Sequence, residues 1–255
     1  MPPSLATARA PLALALAAAV AWGGCRGDDK PAGGGTKPKV TGAKPAPTGS
    51  GVVRGHVSFS GAVPAPKEWG GRDFVGCKSL RPAELQLVRV QGGKLADAFV
   101  WVKAGLPEGG YPAPSEPVHV DQKGCEFVPR VFGAMAEQPV LWTNGDQFMH
   151  NVNSGQFNQG LATAGVTFTK GLEEPAAAGP ITVRCDVHPW MRAYAWVLPH
   201  PYFKTTGDDG AFEIGGLVDG DLTIGVWHEV LGTQEKTVKV TAATTAVVDF
   251  EMKAP

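Results

Sequence analysis

Residues 181–197 read ITVRCDVHPWMRAYAWV, two apolar runs on either side of a proline. Ile181–Cys185 and Ala193–Val197 are short runs of β-branched, aromatic and small apolar residues, suited to half-buried strands. Pro189 lies between them, removes a backbone donor and restricts His188 to an extended conformation. The stretch is therefore two strands joined by a short loop. That loop has the form C-x2-H-x2-M, with Cys185, His188 and Met191 held within seven residues.

The same punctuation recurs along the chain. Upstream candidate strands are Val52–Phe59, Leu85–Val90, Phe99–Lys103, Val118–Asp121, Phe127–Met135, Val140–Asn144 and Val166–Lys170. Downstream candidates are Phe212–Ile214, Leu222–Trp227, Lys236–Val240 and Ala246–Met252. Several alternate apolar and polar residues, as strands with one buried face do. Breakers such as Gly92-Gly93, Pro112 and Gly215-Gly216 separate them, and no amphipathic helix of ten or more residues stands out. The expected fold class is all-β, with two small sandwiches.

Composition agrees. The 255 residues include 34 Gly and 22 Pro, a share that fits a turn-rich β-protein and falls short of the level typical of disorder. The net charge of −1 excludes the basic excess of a nucleic-acid binder. Charge is unevenly placed, since residues 26–50 are net +3 and residues 51–255 carry 17 basic and 22 acidic side chains.

The N-terminus reads as an address. Arg9 precedes an apolar run from Ala10 to Trp22, too short to span a bilayer and suited to a secretory signal. The run ends in Gly23-Gly24-Cys25, which resembles a bacterial lipoprotein signal cut before a lipidated cysteine, although Trp22 stands where that pattern has Leu. An ordinary signal cut nearby would leave Cys25 free. Either reading exports the chain. Arg26 after the cysteine leans towards the outer membrane, placing the protein in the cell envelope. Residues 25–50, rich in Gly, Pro and Lys, read as a disordered tether.

Without a lipidated Cys25, three cysteines remain in an oxidising compartment: Cys77, Cys125 and Cys185. Two can pair and the third needs another use. A soft thiolate and thioether in one loop select copper over hard cations, and two histidines with a cysteine and a weak methionine suit a copper electron-transfer site. His150, in LWTNGDQFMHNV (141–152), is placed to supply the second imidazole. A zinc site, or an inert buried cysteine with core histidines, is the competing reading.

At these residues the sequence resembles the cupredoxins, especially those of amicyanin and plastocyanin type. The short C-x2-H-P-aromatic-M-R loop is matched by Cys185 to Arg192. W-x-N followed by H-N-V is matched by Trp142, Asn144 and His150-Asn151-Val152, and an early F-x-P by Phe127-Val128-Pro129. The likeness covers about residues 118–198. It implies one type 1 copper, with His150, Cys185 and His188 equatorial and Met191 axial. It also implies that Asn151 joins the two ligand loops through its amide and side chain, with Asn144 holding the same region. His188, Pro189 and Trp190 would form the surface through which electrons leave. With Cys185 so used, Cys77 and Cys125 are expected to form a disulfide.

The remaining histidines, His56, His119, His200 and His228, include no H-x-H pair and are expected at the surface or partly buried. No hydrolase, zincin or phosphate-loop motif occurs either. Catalysis is not expected. Residues 205–220 resemble the T-D-x-D-G-x-F…G-L…G of carboxypeptidase-regulatory-like (transthyretin-like) sandwiches, and Gly55-His56-Val57 with Ala98–Val102 resembles their opening. The implied order is a signal peptide (1–24), the tether (25–50), a regulatory-like sandwich split into 51–117 and 199–255, and the cupredoxin domain (118–198) inserted within it; tandem sandwiches without insertion are the alternative. The function expected is a membrane-tethered carrier passing single electrons between redox proteins. A non-redox lipoprotein that stores copper, or binds partners or carbohydrate, is the alternative.

Overall fold

Alternation sets the first strand. Along Gly51–Ser60, Val53, Val57 and Phe59 turn inwards while Arg54 and His56 face solvent. Position 55 shares the inward face, and it is glycine because a Cβ there would lie 1.8 Å from the Val248 carbonyl oxygen. The computed structural model describes residues 47–68, 76–77, 84–174 and 179–254. The signal segment, Cys25 and most of the tether lie outside the described residues. Every regular element among the described residues is a strand, and the fold is all-β.

Residues 118–198 build one sandwich. Its first sheet runs in the order Thr167–Thr169, Val140–Asn144, Val118–Lys123, Glu126–Val128. Its second runs Asn158–Leu161, His150–Asn153, Ile181–Arg184, Arg192–Leu198, Val131–Met135. Trp142, Leu161, Val183 and Ala195 fill the space between them.

Strands from both sides of that segment build the other sandwich. Phe99–Ala104 pairs with Phe203–Thr205 and with Gly220–His228, which pairs with Gly232–Val240. Gly51–Ser60 is flanked by Ala211–Leu217, by Lys94–Leu95 and by two C-terminal strands, Thr245–Val247 and Phe250–Lys253. A third apolar cluster of Phe99, Trp101, Val131 and Trp196 joins the two sandwiches, with the Trp101 and Trp196 rings 4.5 Å apart.

Several details differ from the expected strands. Leu85–Val90 is strand only at its ends, within Glu84–Leu85 and Val90–Gln91, and Phe203–Thr205 is an additional strand. Phe127–Met135 is two strands, Glu126–Val128 and Val131–Met135, in different sheets. Pro129 falls at the break, where it has no N–H to give a ladder. Ala246–Met252 is likewise divided between Thr245–Val247 and Phe250–Lys253. His150–Asn153 and Asn158–Leu161 are strands that polar composition conceals.

His228 is fully buried rather than superficial. Its Nδ1 accepts the Val230 N–H at 3.2 Å. Burial lowers its pKa to about 4, with Glu229 opposing and Arg130 reinforcing the shift. The folded pKa lies below the ordinary 6.5, so the unfolded chain takes up a proton first as pH falls. The associated stability is intact above about pH 6.5 and is lost towards pH 4, at a cost of about 3 kcal/mol. His228→Gln should therefore flatten the decline in unfolding free energy between pH 7 and 4, measured by denaturant titration. An unchanged slope would exclude His228 from the acid response.

Candidate metal centre

The hairpin read first in the sequence supplies one side of the site. Ile181–Arg184 and Arg192–Leu198 pair antiparallel, with Arg184 opposite Arg192. The intervening loop is closed by Cys185 N–H donating to the Met191 carbonyl at 3.2 Å and Met191 N–H to that of His188 at 2.9 Å. The other side comes from His150–Asn153, whose Asn153 pairs with Arg184. That register sets His150 beside the loop.

Three ligand-type atoms converge there. His150 Nδ1 lies 2.8 Å from His188 Nδ1, and His188 Nδ1 lies 3.7 Å from Cys185 Sγ. All three donor atoms lie within 4.8 Å of one another, and all three residues are buried. Two ring nitrogens at 2.8 Å require a proton or a cation between them, since lone pairs alone repel. Met191 is buried in the same core, its backbone closing the loop on which Cys185 and His188 lie.

The electrostatics suit a cation. Burial pushes the Cys185 thiol above its ordinary value, opposed by N–H groups of Asn151, His188 and Val187 directed at the sulfur. Those donors are arranged for a thiolate that burial alone disfavours. Burial lowers His188 to about 4, helped by His150 and opposed by Asp146. It lowers His150 too, against the pull of Asp146. Both imidazoles are neutral near pH 7, the form that binds metals.

A polar frame surrounds the three atoms. Asn151 N–H points at Cys185 Sγ at 3.4 Å, and its side-chain oxygen accepts the Asp186 N–H at 2.6 Å. The Asp186 carboxylate accepts from the side-chain amides of Asn151, Asn153 and Asn158. Asn144 donates to the carbonyls of Phe148 and Leu161 and accepts the Asp146 N–H, fixing the chain that leads to His150. Gln122 donates to the Asn151 carbonyl at 2.9 Å.

Cys77 and Cys125 form a disulfide, with Cα atoms 5.8 Å apart. The expected exit surface needs correction. Of its three residues only Pro189 is exposed; His188 is 3% and Trp190 7% exposed. The indole of Trp190 turns inwards because its N–H meets the Cys125 carbonyl at 3.0 Å. Its ring packs 5.1 Å from that of His188, and the Phe148 ring lies 6.2 Å from the same imidazole.

Asp146, Asp186 and Gln122 are parts of the site that the sequence reading did not assign. The signal for Asp146 was its place in Asn144-Gly145-Asp146, a turn four residues before His150. Burial raises the Asp146 carboxyl, but N–H donors from Cys125 and Gly124, together with His150, outweigh burial and leave its pKa lowered.

No protein-family model matches the sequence, and no curated protein is similar to it. Solved structures are. A purple cupredoxin from Nitrosopumilus maritimus is 22% identical, covering 31% of this chain and 98% of that one, with a TM-score of 0.27. Amicyanin from Paracoccus versutus (Thiobacillus versutus) is 23% identical over 38% of this chain and 96% of its own, at a TM-score of 0.28. A copper-containing nitrite reductase from Thermus scotoductus is 22% identical over 38% of this chain and 25% of its own, at 0.26. These three matches cover 31% to 38% of this chain.

Proposed function

We propose that the chain is a type 1 copper protein that transfers single electrons in the cell envelope, tethered through Cys25. The observation that carries this reading is the buried convergence of His150 Nδ1, Cys185 Sγ and His188 Nδ1. Two neutral imidazoles and a thiolate would hold copper, with Met191 as a weak fourth ligand, and a thioether argues against zinc. Bound copper would supply a reversible one-electron couple. The chain's own part is to hold three donors in place while excluding water, so that little must rearrange when the charge changes. Among the described residues both groups with metal-ligand spacing contain His150. The other sandwich then serves as a scaffold, and the partners are redox proteins.

The test is a spectrum. Cu(II) added to the folded protein should give an intense thiolate-to-copper absorption near the red end of the visible range. A colourless or weakly coloured complex would overturn electron transfer in favour of copper storage.

Asn151 should tune the couple. Its N–H withdraws electron density from the sulfur, which favours Cu(I). Asn151→Leu keeps that N–H but loses the side-chain bonds that hold Asp186 against it. The midpoint potential should fall by an amount corresponding to roughly 1 kcal/mol, the scale of one hydrogen bond. An unchanged potential would remove Asn151 from the tuning.

A further inference from the structure

We infer that Asp146 is a positioning residue which fixes the tautomer of His150 and lowers the potential of the metal held there, an inference that rests on the copper reading above. Asp146 lies outside both ligand loops' metal-binding positions and is only 6% exposed. Its Oδ1 accepts the Gly124 N–H at 2.9 Å, and its Oδ2 accepts the Cys125 N–H at 2.9 Å. The same Oδ2 lies 2.9 Å from His150 Nε2.

The donors are built into the fold. Val118–Lys123 and Glu126–Val128 form a hairpin in which Lys123 pairs with Glu126, leaving Gly124 and Cys125 as its two-residue turn. Both have positive φ, 64° and 61°, the conformation that a two-residue hairpin of this twist demands. That turn directs two successive N–H groups at one carboxylate, as anion-binding backbone concavities do. The disulfide to Cys77 holds Cys125 in place despite its unfavourable backbone region.

The tautomer follows from the partners. A carboxylate only accepts, and both of its oxygens already receive backbone N–H groups. The contact at His150 therefore places a proton on Nε2, leaving the Nδ1 lone pair directed towards His188 Nδ1 and Cys185. A carboxylate bonded to the far side of an imidazole makes the ring a stronger donor. Stronger donation and added negative charge favour Cu(II) over Cu(I).

Asp146→Asn keeps the size of the side chain and removes its charge. In the copper-loaded full chain it should shift the balance towards Cu(I) at least tenfold, a rise in midpoint potential of about 59 mV for one electron. Asp146→Glu should stay closer to the wild type. A wild-type potential in Asp146→Asn with the charge-transfer band intact would overturn the inference, as would equal shifts in both variants. Nitrogen-15 NMR of the metal-free wild type needs no variant to fold, and should show His150 protonated at Nε2 and bonded there. A proton on Nδ1 instead would overturn the inference whatever the copper spectrum shows. An absent charge-transfer band in the wild type would overturn the copper reading, while the tautomer would still be decided by NMR.

Discussion

Cys185→Ser is expected to abolish the thiolate-to-copper absorption and to weaken Cu(I) binding by more than about 100-fold, beyond the loss typical when only an outer partner of a ligand is removed. The hydroxyl is harder, stays protonated near neutral pH and offers no low-energy charge transfer to the metal. The fold should survive, since serine is slightly smaller than cysteine and the Asn151 N–H that points at Sγ can meet an oxygen. Cys185 is also the one free cysteine among the described residues, so no disulfide is lost. The measurements are the visible spectrum, competitive Cu(I) titration and a thermal melt. A variant that keeps the wild-type colour would mean that the sulfur is not a ligand, and the three-atom convergence would need another explanation.

What was legible in the sequence, and what was not, divides by chain separation. Cys185, His188 and Met191 lie in one loop between two β-runs, so residue types alone placed them together. His150 was reachable because Trp142 to Val152 carries its own pattern. Asp146 lies in the same stretch, but its turn position signals only nearness to His150, because the N–H groups that hold its carboxylate come from Gly124 and Cys125. Cys125 in a left-handed turn is not something local propensity announces. The same turn explains the error at Trp190, whose indole is drawn inwards by the Cys125 carbonyl that only the folded hairpin presents. His150–Asn153 escaped notice as a strand for a related reason. His150, Asn151 and Val152 are all buried instead of alternating, and tertiary contacts override the weak strand pattern.

Removing the disulfide should cause a large loss of stability. Cys77 and Cys125 are 48 residues apart in sequence. Opening a loop of that length should cost about 4 kcal/mol through the freedom regained by the unfolded chain. For a chain of this size that corresponds to a fall in melting temperature of roughly 8–16 °C. The double variant Cys77→Ala with Cys125→Ala is the form to measure, because a single substitution leaves a buried thiol behind. The consequences should extend to the metal centre. Cys125 gives its N–H to Asp146 and its carbonyl to Trp190, and these two residues contact His150 and His188 respectively. On the other side of the bridge, Gly76 lies so close to Phe148 that a Cβ would approach the ring to 2.6 Å. Phe148 in turn meets the rings of His150 and His188. The double variant should therefore melt earlier and also show a displaced midpoint potential, whereas a mutation that weakens only the distant sandwich core should lower the melting temperature alone. A melting temperature within about 2 °C of the wild type, less than the shift expected for 1 kcal/mol, would show that the bridge adds little to stability. An unmoved potential would show that the Gly124–Cys125 turn holds Asp146 and Trp190 without it.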